Sequence, residues 1–398
     1  MEVEIVKFDN NGRGIAYLED KIVFVPKSIP GDIVNIEITL DKKNYMEGKI
    51  INIVKPSKSR CNPICPYFNN CGGCDLLNIS LSNMLDYKLD KVNNIFRSNK
   101  IDYIVKDIIK SSSQYNYRNK VSLKIVDNNI GYYEGDTHNI ININYCYLCN
   151  EEINKIIKNL KKFDIHNGLV TIRVNYKDEL LIIIDTKDEL DNIDYFIDTY
   201  KVAGIILNNK TIYGDNYFID MINDYLFKVS YNSFFQVNPY MCSELFNLIE
   251  EYTKNSNNVL DLYSGVGTLS IVASSNASKV LGVEIVDNAV SDANINKVIN
   301  KRNNVEFICS DTKKVIDRIT SGFDTIILDP PRSGVDKNVI NKIIEEKINK
   351  IVYVSCNPIT LARDINLLKD YYEIYNIKVL DMFPNTEHVE SFCVLLKK

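Results

Sequence analysis

Residues 259–269 read VLDLYSGVGTL, and they indicate the fold class of the C-terminal part of the chain. The stretch combines an apolar strand, a Gly-x-Gly turn and the start of a helix. Glycines at positions 265 and 267 let a ligand lie against the backbone at the carboxyl end of a strand. A nicotinamide dinucleotide site has a third glycine three residues later, where this chain has Ser270. The pattern therefore favours a ligand site of a different kind at this turn.

Strand and helix patterns alternate around this turn, from Phe234 to near the end of the chain. The predicted strands are 258–262, 279–284, 305–309, 325–328, 350–355 and 377–382. This alternation predicts an α/β fold with a parallel sheet and helices on both faces. Glu284 ends the second strand and Asp311 follows the third, where their carboxylates could meet the ribose hydroxyls and the adenine amino group of a ligand. The alternative is that both are acidic loop residues that cap helices.

The chain has 398 residues, which predicts two or three domains. Residues 1–58 carry short strand patterns separated by glycine and proline turns, as in a small β-barrel. Residues 59–230 mix short strands with helical spacing near 81–96 and 150–162, which predicts a small α+β central domain. Residues 231–398 form the predicted α/β domain.

The formal net charge is −5, so a basic surface for nucleic acid must be local. Residues 51–130 contain twelve basic and six acidic residues. Tyr115, Tyr117, Arg118 and Lys120 alternate aromatic and basic side chains there, a pattern typical of single-stranded RNA binding. A solvated basic face is the alternative.

The sequence also bears on location. No apolar run approaches the roughly 18–20 residues of a membrane helix. The N-terminal residues MEVEIVKFDN lack the apolar core of a secretion signal. We therefore expect a cytoplasmic protein without a membrane partner, and a monomer.

Three of the ten cysteines fall within ten residues, in the sequence CPYFNNCGGC at positions 65–74. Cys65, Cys71 and Cys74 can face one centre, because the glycines allow tight turns and a close approach to bulky sulfide or metal. A fourth ligand must come from elsewhere in the chain. Zinc competes with an iron–sulfur cluster on ligand type alone, and buried thiols at chance spacing are the third possibility.

Several motifs resemble the bacterial RNA 5-methyluridine methyltransferase family that acts on large-subunit (23S) ribosomal RNA. The cysteine segment is similar to the iron–sulfur segment of that family, and the resemblance implies a [4Fe-4S] cluster with Cys146 as the fourth ligand. Cys61 and Cys149 remain alternatives on spacing. The segment GRGIAYLEDKIVFVPKSIPGDIV resembles a TRAM domain, an OB-like RNA-binding barrel, and YRNK at 117–120 resembles a segment of the same family. The chain departs from the family at Leu77-Asn78, where a Gln-His pair is common.

Three motifs near the C-terminus suggest the chemistry. Asp329-Pro-Pro-Arg332 ends an apolar strand in a loop that the prolines make rigid. Ser355-Cys356-Asn357-Pro358 ends the next strand, and Pro358 suits the first position of a helix whose N-terminus would lower the pKa of Cys356. A lone cysteine after a strand is more often simply buried. The third motif is His388-Val389-Glu390.

The resemblance assigns roles to these residues. It implies a Rossmann-like S-adenosylmethionine methyltransferase domain in which Cys356 adds to C6 of a uracil and Glu390 removes the C5 proton. A thiolate at C6 loads electron density on C5, which is otherwise too weak a nucleophile to accept a methyl group. The target base must leave its stack to reach such a site. The residues expected at the cofactor are Gln236, Tyr263, Gly265, Glu284, Asp311 and Asp329, with Asp329 positioning either the uracil edge or the cofactor.

The sequence therefore predicts an enzyme that methylates uridine C5 in 23S ribosomal RNA. A transfer-RNA uridine-C5 methyltransferase is an alternative with the same chemistry. A non-catalytic iron–sulfur RNA-binding protein is an alternative from a different class. A cytosine-C5 enzyme is disfavoured, because no second cysteine occurs in a Pro-Cys motif.

Overall fold

The computed structural model describes residues 1–135, 137–319 and 322–398. Residues 1–55 form a curled six-stranded sheet in the order β1-β5-β6-β4-β3-β2. Its strands are β1 (Glu2–Glu4), β2 (Lys7–Phe8), β3 (Gly14–Leu18), β4 (Lys21–Val25), β5 (Ile33–Asp41) and β6 (Tyr45–Lys55). Val3, Val23, Val34 and Ile36 meet inside, because alternate residues of each strand point to the same face. This is the barrel that the sequence predicts.

Two elements that directly follow the barrel in sequence pack on the C-terminal sheet, whose other strands come much later in the chain. Helix α1 (Leu81–Ser98) buries Val92, Ile95 and Phe96 in the core of the C-terminal sheet. Strand β7 (Asp107–Ile109) adds to the edge of that sheet. The interval 59–230 is therefore divided between two sheets, and the domain limits at 58/59 and 230/231 remain predictions.

The central domain is a mixed seven-stranded sheet in the order β10-β9-β8-β11-β12-β13-β14. Its strands are β8 (Lys120–Val126), β9 (Asn129–Tyr133), β10 (Ile140–Asn142), β11 (Gly168–Val174), β12 (Leu180–Thr186), β13 (Val202–Leu207) and β14 (Lys210–Gly214). Helix α2 (Glu151–Asn159), a 3-10 turn (Leu160–Phe163) and helix α3 (Ile193–Thr199) pack on it. Phe163 and Phe196 stack in their shared core with ring centroids 3.8 Å apart.

A two-stranded hairpin, β15 (Tyr217–Ile222) and β16 (Tyr225–Ser230), packs on the C-terminal domain. Side chains of a later helix, α6 (Asp287–Ile299), and of its C-cap residue bond the backbone of β16 as a neighbouring strand would. Asp292 accepts from one backbone amide, while Asn296 and Asn300 each accept from an amide and donate to a carbonyl. The residues that they meet on the strand are Leu226, Lys228 and Ser230. We call these three side chains the α6 ladder.

The C-terminal domain has an eight-stranded sheet in the order β19-β18-β17-β20-β21-β23-β22-β7. The strands are β17 (Asn258–Leu262), β18 (Lys279–Glu284), β19 (Val305–Cys309), β20 (Thr325–Leu328), β21 (Lys350–Ser355), β22 (Tyr372–Leu380) and β23 (Glu390–Lys397). The helices are α4 (Pro239–Thr253), α5 (Thr268–Ala273), α6, α7 (Thr312–Ile319), α8 (Lys337–Glu345) and α9 (Pro358–Leu368). Five strands begin and end at the predicted residues, whereas the strand predicted at 377–382 spans 372–380.

The order of the strands locates the ligand crevice. Strand β17 lies between β18 and β20, so the chain crosses the sheet in opposite directions from it. Ligands of open α/β sheets bind at the carboxyl ends of the strands at such a switch point. Two hydrophobic cores cover the two faces of the sheet, as predicted. The prediction of a parallel sheet is wrong at β23, which runs antiparallel to β21 and β22. No helix among the described residues is long and apolar enough to cross a membrane.

Candidate active site

The turn after β17 has a backbone that few residues adopt. Tyr263, Gly265 and Gly267 have φ angles of 69°, 55° and 83°. A Cβ atom at Gly267 would lie 2.6 Å from the ring of Phe307, so close packing requires glycine there. A Cβ atom at Gly265 would meet nothing within 4 Å, which leaves the backbone open toward the crevice. The turn therefore leaves the backbone uncovered at the place where the sequence predicts a ligand, and the ligand contact itself stays a prediction.

The carboxylate of Glu284 fixes this turn. Its Oε2 accepts from the amide of Gly265 at 3.0 Å, and its Oε1 accepts from the amides of Ile285 and Val286, each at 2.8 Å. Oε2 can accept a further hydrogen bond, whereas Oε1 already accepts two. Asp311 accepts from the amide of Lys313 at 3.0 Å and so caps α7, as the alternative for this residue expected, although it also borders the crevice.

One cleft of about 760 Å³, partly open to solvent, gathers the predicted residues at the carboxyl edge of the sheet. Its walls include every residue predicted for the cofactor and for catalysis: Gln236, Tyr263, Gly265, Glu284, Asp311, Asp329, Cys356 and Glu390. The structure thus brings together residues that are as far as 154 positions apart in sequence. Their individual roles remain predictions. We call this space the donor cleft.

Two acids of the donor cleft have carboxyl pKa values well above the usual range. Burial raises the pKa of Asp329 to about 7. Burial likewise raises the pKa of Asp261 to about 7, although Ser270 donates a hydrogen bond to its Oδ2. The Oδ1 atom of Asp261 is buried and has no partner among the described residues. No role for Asp261 was predicted from the sequence. A carboxylate inside the apolar end of strand β17 is nevertheless a pattern that indicates a functional residue.

Cys356 does not have the lowered pKa that the sequence predicts. Burial and, next, the carboxyl of Glu390 raise the pKa of the thiol, and Arg332 offsets this only in part. Pro358 does begin α9, but the side chain of Asn357 caps that helix by accepting from the amide of Ile359 at 3.1 Å. Because the cap is an oxygen of Asn357, the helix N-terminus does not outweigh burial and the neighbouring acids. The prediction of a lowered pKa is wrong.

Glu390 begins β23 and is 4% exposed. Burial, and then the nearby Asp329, raise its pKa well above the usual value. Two neighbouring carboxyl groups with little access to solvent do not ionise together readily, because the two negative charges repel each other. The pair therefore tends to hold a proton until substrate or solvent alters the site.

Charged residues that the sequence analysis did not assign connect this site to α1. Arg332 and His388 also border the donor cleft, with Nη2 of Arg332 3.2 Å from Nδ1 of His388. His388 Nδ1 lies 2.8 Å from Glu387 Oε1, and Lys91 pairs with the other oxygen of Glu387. Burial opposes ionisation of Glu387, but His388 and Lys91 together lower its pKa to about 2.

The loop 381–388, which we call the junction loop, joins β22 to the site. Lys88 of α1 is fully buried and donates to Asp381 at 2.6 Å and to the carbonyl of Phe383 at 2.9 Å. Tyr117 donates to the carbonyl of Pro384 at 3.0 Å. The amides of Asp75 and Leu76, next to the cysteine segment, donate to the carbonyl of Asn385. Helix α1, Tyr117 and the end of the cysteine segment therefore all bond to the loop that leads to His388 and Glu390.

The predicted metal ligands border a second space, the cysteine cavity, of about 30 Å³. Its walls include Cys65, Cys71, Cys74 and Cys146. Neither alternative ligand is a wall residue: Cys61 is exposed, and Cys149 is buried behind the wall, where its thiol contacts that of Cys146. Among the described residues, however, no three His, Cys, Asp or Glu side chains are grouped so as to hold a metal ion. Each of the ten cysteines is free.

Basic residues lie beside this cavity. Lys27, at the end of the barrel strand β4, donates to the carbonyls of Cys71 and Cys74, and its Nζ lies 4.4 Å from the centre of the Phe68 ring. Arg118 forms part of the cavity wall. Two cations therefore face a set of thiols that would be anionic with a metal bound.

The predicted RNA contacts near position 118 are only partly available. Tyr115 is exposed, but Tyr117 is 1% exposed and bonded to the junction loop. Tyr117 therefore cannot stack on RNA, and its predicted contact is wrong because tertiary packing turns it inward. Burial and the cross-strand neighbour Arg173 lower the pKa of Lys120 to about 8.

Comparisons with known proteins agree with this geometry. A model of the tRNA (uracil-5-)-methyltransferase family matches residues 201–398, and a TRAM domain model matches residues 1–51. Uncharacterized RNA methyltransferases of Clostridium tetani and Halalkalibacterium halodurans are 34% and 32% identical over 98% and 99% of this chain, and 95% and 96% of their own lengths.

A solved structure is similar over the full length of both chains. It is the Pyrococcus abyssi tRNA (uracil-54, C5)-methyltransferase in complex with S-adenosyl-L-homocysteine, with a TM-score of 0.84 and 27% sequence identity. The similarity supports the S-adenosylmethionine methyltransferase fold and the N-terminal TRAM domain.

Proposed function

This chain belongs to the tRNA (uracil-5-)-methyltransferase family of RNA methyltransferases, and from that premise we propose that it methylates C5 of a uridine through a covalent bond from Cys356. The observation that carries the proposal is the meeting of Cys356, Asp329 and Glu390 in the donor cleft. A thiol alone at a strand end would be unremarkable. A thiol beside two buried carboxyls, at the switch point of the sheet, has the groups that this reaction needs.

The donor cleft fits S-adenosylmethionine, which supplies an electrophilic methyl group. Gly265 leaves the backbone uncovered, Oε2 of Glu284 keeps one free lone pair, and the Oδ1 atom of Asp261 is a buried acceptor without a partner among the described residues. An orphaned buried acceptor is costly unless a ligand donates to it. We assign Gln236, Tyr263, Gly265, Glu284 and Asp311 to the cofactor.

The chain's own residues divide the work on the base. The thiol of Cys356 gives its proton to water at the open side of the cleft, and the thiolate then bonds to C6. The electron pair of the C5–C6 double bond moves toward C5 and the O4 enolate, which makes C5 nucleophilic. Asp329 holds the uracil edge or the cofactor in place. Glu390 accepts the C5 proton after methylation, and the C6–sulfur bond then breaks to restore the ring. Because burial raises the pKa of Glu390, its ionised form is a stronger base than an exposed carboxylate.

The covalent step can be tested with RNA that contains 5-fluorouridine. Fluorine at C5 cannot leave as a proton does, so methylation should stop with the RNA bonded to Cys356. We expect wild-type protein to form a denaturation-resistant complex and Cys356→Ala to form none. Cys309→Ala is the matched control, because Cys309 is exposed at the end of β19 and should not affect trapping. Equal trapping by Cys356→Ala would overturn the assignment, and no trapping by wild type would favour a non-catalytic RNA-binding role.

For the substrate we propose 23S ribosomal RNA, on the basis of the cysteine segment and its resemblance to the ribosomal family. Transfer RNA is the second candidate, because a structure similar over the whole chain acts on uridine 54 of transfer RNA. Mapping 5-methyluridine in total RNA from a deletion strain distinguishes them. Loss of the modification from 23S RNA supports the first candidate, and loss from transfer RNA supports the second.

We further propose that Cys65, Cys71, Cys74 and Cys146 hold a [4Fe-4S] cluster. The support is that these four thiols border one cavity while Cys61 and Cys149 do not, and that Lys27 and Arg118 offset the charge of bound thiolates. Protein purified without oxygen should contain about four iron and four sulfide per chain. One zinc without sulfide would support the zinc alternative instead.

We also propose a cytoplasmic monomer. Ten free cysteines are typical of a reducing compartment. Light scattering of the purified protein and fractionation of cells test the two parts of this proposal.

A further inference from the structure

A second cavity touches Cys356 from outside the donor cleft. Its volume is about 190 Å³, smaller than the roughly 300–1,000 Å³ of a site that encloses a whole ligand, so it has room for one part of a larger ligand. Arg332, Cys356 and His388 form part of the walls of both spaces. The other walls include Asn10 and Asn11 of the barrel and Ile359 at the start of α9. We call this second cavity the flanking pocket.

The barrel turn that contributes to the flanking pocket is held firmly. Both oxygens of Asp9 are used within the turn: Oδ1 accepts from the amides of Asn11 and Arg13, and Oδ2 accepts from the side chain of Arg13 at 2.8 Å. Tyr87 of α1 donates to the carbonyl of Asp9 at 3.2 Å. A fixed turn of this kind presents its exposed side chains at constant positions.

Gly12 fastens the same turn to the catalytic part of the chain. Its φ angle is 73°, and an added Cβ atom would lie 3.1 Å from Cβ of Glu387 in the junction loop. The barrel therefore touches the loop that presents His388 and Glu390. The side chains of Asn10 and Asn11, by contrast, are exposed at the flanking pocket. The side chain of Asp9 thus stabilises the turn, and the carbonyl of Asp9 bonds to α1. The side-chain amides of Asn10 and Asn11 stay available to a ligand.

The chemistry of the pocket fits one nucleotide of an RNA chain. Side-chain amides of asparagine both donate to and accept from base edges. Ile359 is 54% exposed and offers an apolar surface to the face of a base. Arg332 is exposed where the two cavities meet, in position for a phosphate between two nucleotides.

On the premise of the proposed function, we propose that the flanking pocket receives the nucleotide adjoining the target uridine and that Asn10 and Asn11 contact its base. Because the two cavities share Cys356, a uridine in the donor cleft places its neighbour at the flanking pocket. The barrel thereby contributes to the choice of target, besides any general affinity for RNA.

The experiment uses the full chain and short RNA with 5-fluorouridine at the mapped target position. One set keeps the natural flanking bases, and further sets replace the adjoining base on either side. We expect wild type to trap the natural RNA about 5- to 100-fold faster than RNA with one of the replacements, the range for one base contact. The double variant Asn10→Ala/Asn11→Ala should trap both at similar rates. Its S-adenosylmethionine affinity should stay unchanged, which shows that it folds.

The matched control is Asn44→Ala, because Asn44 is exposed on the same barrel and borders neither cavity. It should keep the wild-type preference. The inference is overturned if the double variant keeps that preference, if wild type has none, or if Asn44→Ala loses it equally. Trapping by wild type in these cases leaves the proposed function standing, whereas absence of trapping by wild type removes both.

Discussion

The donor cleft and the cysteine cavity are built in different ways. The predicted residues of the donor cleft are mostly residues that end or follow strands of one sheet, so the topology of the sheet brings them together. The walls of the cysteine cavity come from residues 65–77 and from the central domain at 118–148. The two spaces share no wall residue. The junction loop connects their surroundings, and so does Asn119, which follows the cavity wall residue Arg118 and donates to the backbone carbonyls of Gln236 and, through its amide, Val237. Catalysis and the cysteine centre should therefore be separable by mutation.

The largest effect is expected within the donor cleft. Glu390→Gln keeps the shape of the side chain but cannot accept the C5 proton. We expect turnover to fall about 10²- to 10⁴-fold, the usual contribution of a general base. A single methyl group should still transfer to ordinary RNA, which then stays bonded to Cys356. Denaturing gels with radiolabelled methyl donor measure this, and normal turnover would contradict the role of Glu390.

A smaller effect, on stability, is expected where the two regions are joined. Lys88→Met leaves Asp381 buried without its cation, which should lower the free energy of unfolding by about 3–5 kcal/mol. Urea denaturation measures it. Lys155→Met is the control, because its partner Glu152 lies at the surface and the loss should be negligible. A second change, Asp381→Asn, should recover part of the loss, and no recovery would show that the ion pair is not the cause.

Ionisation of Asp329 in the donor cleft should make the stability of the fold depend on pH. The folded protein raises the pKa of Asp329 from 3.8 to about 7, so the folded state holds a proton that the unfolded state releases. Stability should therefore decrease as the pH rises from about 4 to about 7. Asp329→Asn cannot ionise and should be more stable than wild type at pH 8, by up to a few kcal/mol, with little difference at pH 4. Urea denaturation of both proteins at pH 4 and pH 8 measures this. An equal difference in stability between wild type and Asp329→Asn at the two pH values would contradict the prediction.

The smallest effect on the donor cleft should come from the cysteine cavity. Cys71→Ser should remove most of the iron, while the affinity for S-adenosylmethionine stays within about twofold of wild type, because the two spaces share no wall. Cys61→Ser should keep the iron, since Cys61 borders neither space. Iron analysis and titration calorimetry measure both. A large loss of cofactor affinity in Cys71→Ser would show that the junction loop couples the two regions.

The same contrast explains what the sequence could predict. Strand ends such as Leu262, Glu284 and Ser355 follow from local apolar patterns, and the sheet rule then places Cys356 near Asp329. Five strands of the C-terminal domain were therefore predictable residue by residue, whereas the bounds of β22 and the antiparallel pairing of β23 were not. The chemistry assigned to Cys356 and Glu390 needed the family resemblance as well.

Long-range packing accounts for what the sequence could not predict. Helix α1 and strand β7 join a sheet that begins more than 140 residues later, and no local pattern signals this. The raised pKa of Cys356 depends on Glu390, whose position follows only from the pairing of β21 with β23. Tyr117 has a sequence context typical of RNA contact, yet its hydroxyl is used inside the protein.

The α6 ladder has a consequence for how this chain behaves among copies of itself. An open strand edge attracts the edges of other chains and can start aggregation. Asp292, Asn296 and Asn300 occupy the free backbone groups along one side of the hairpin, so that side offers no template to a neighbouring chain. A carboxylate and two amides, spaced four residues apart along α6 and its C-cap, thus bond backbone groups that another strand would otherwise pair.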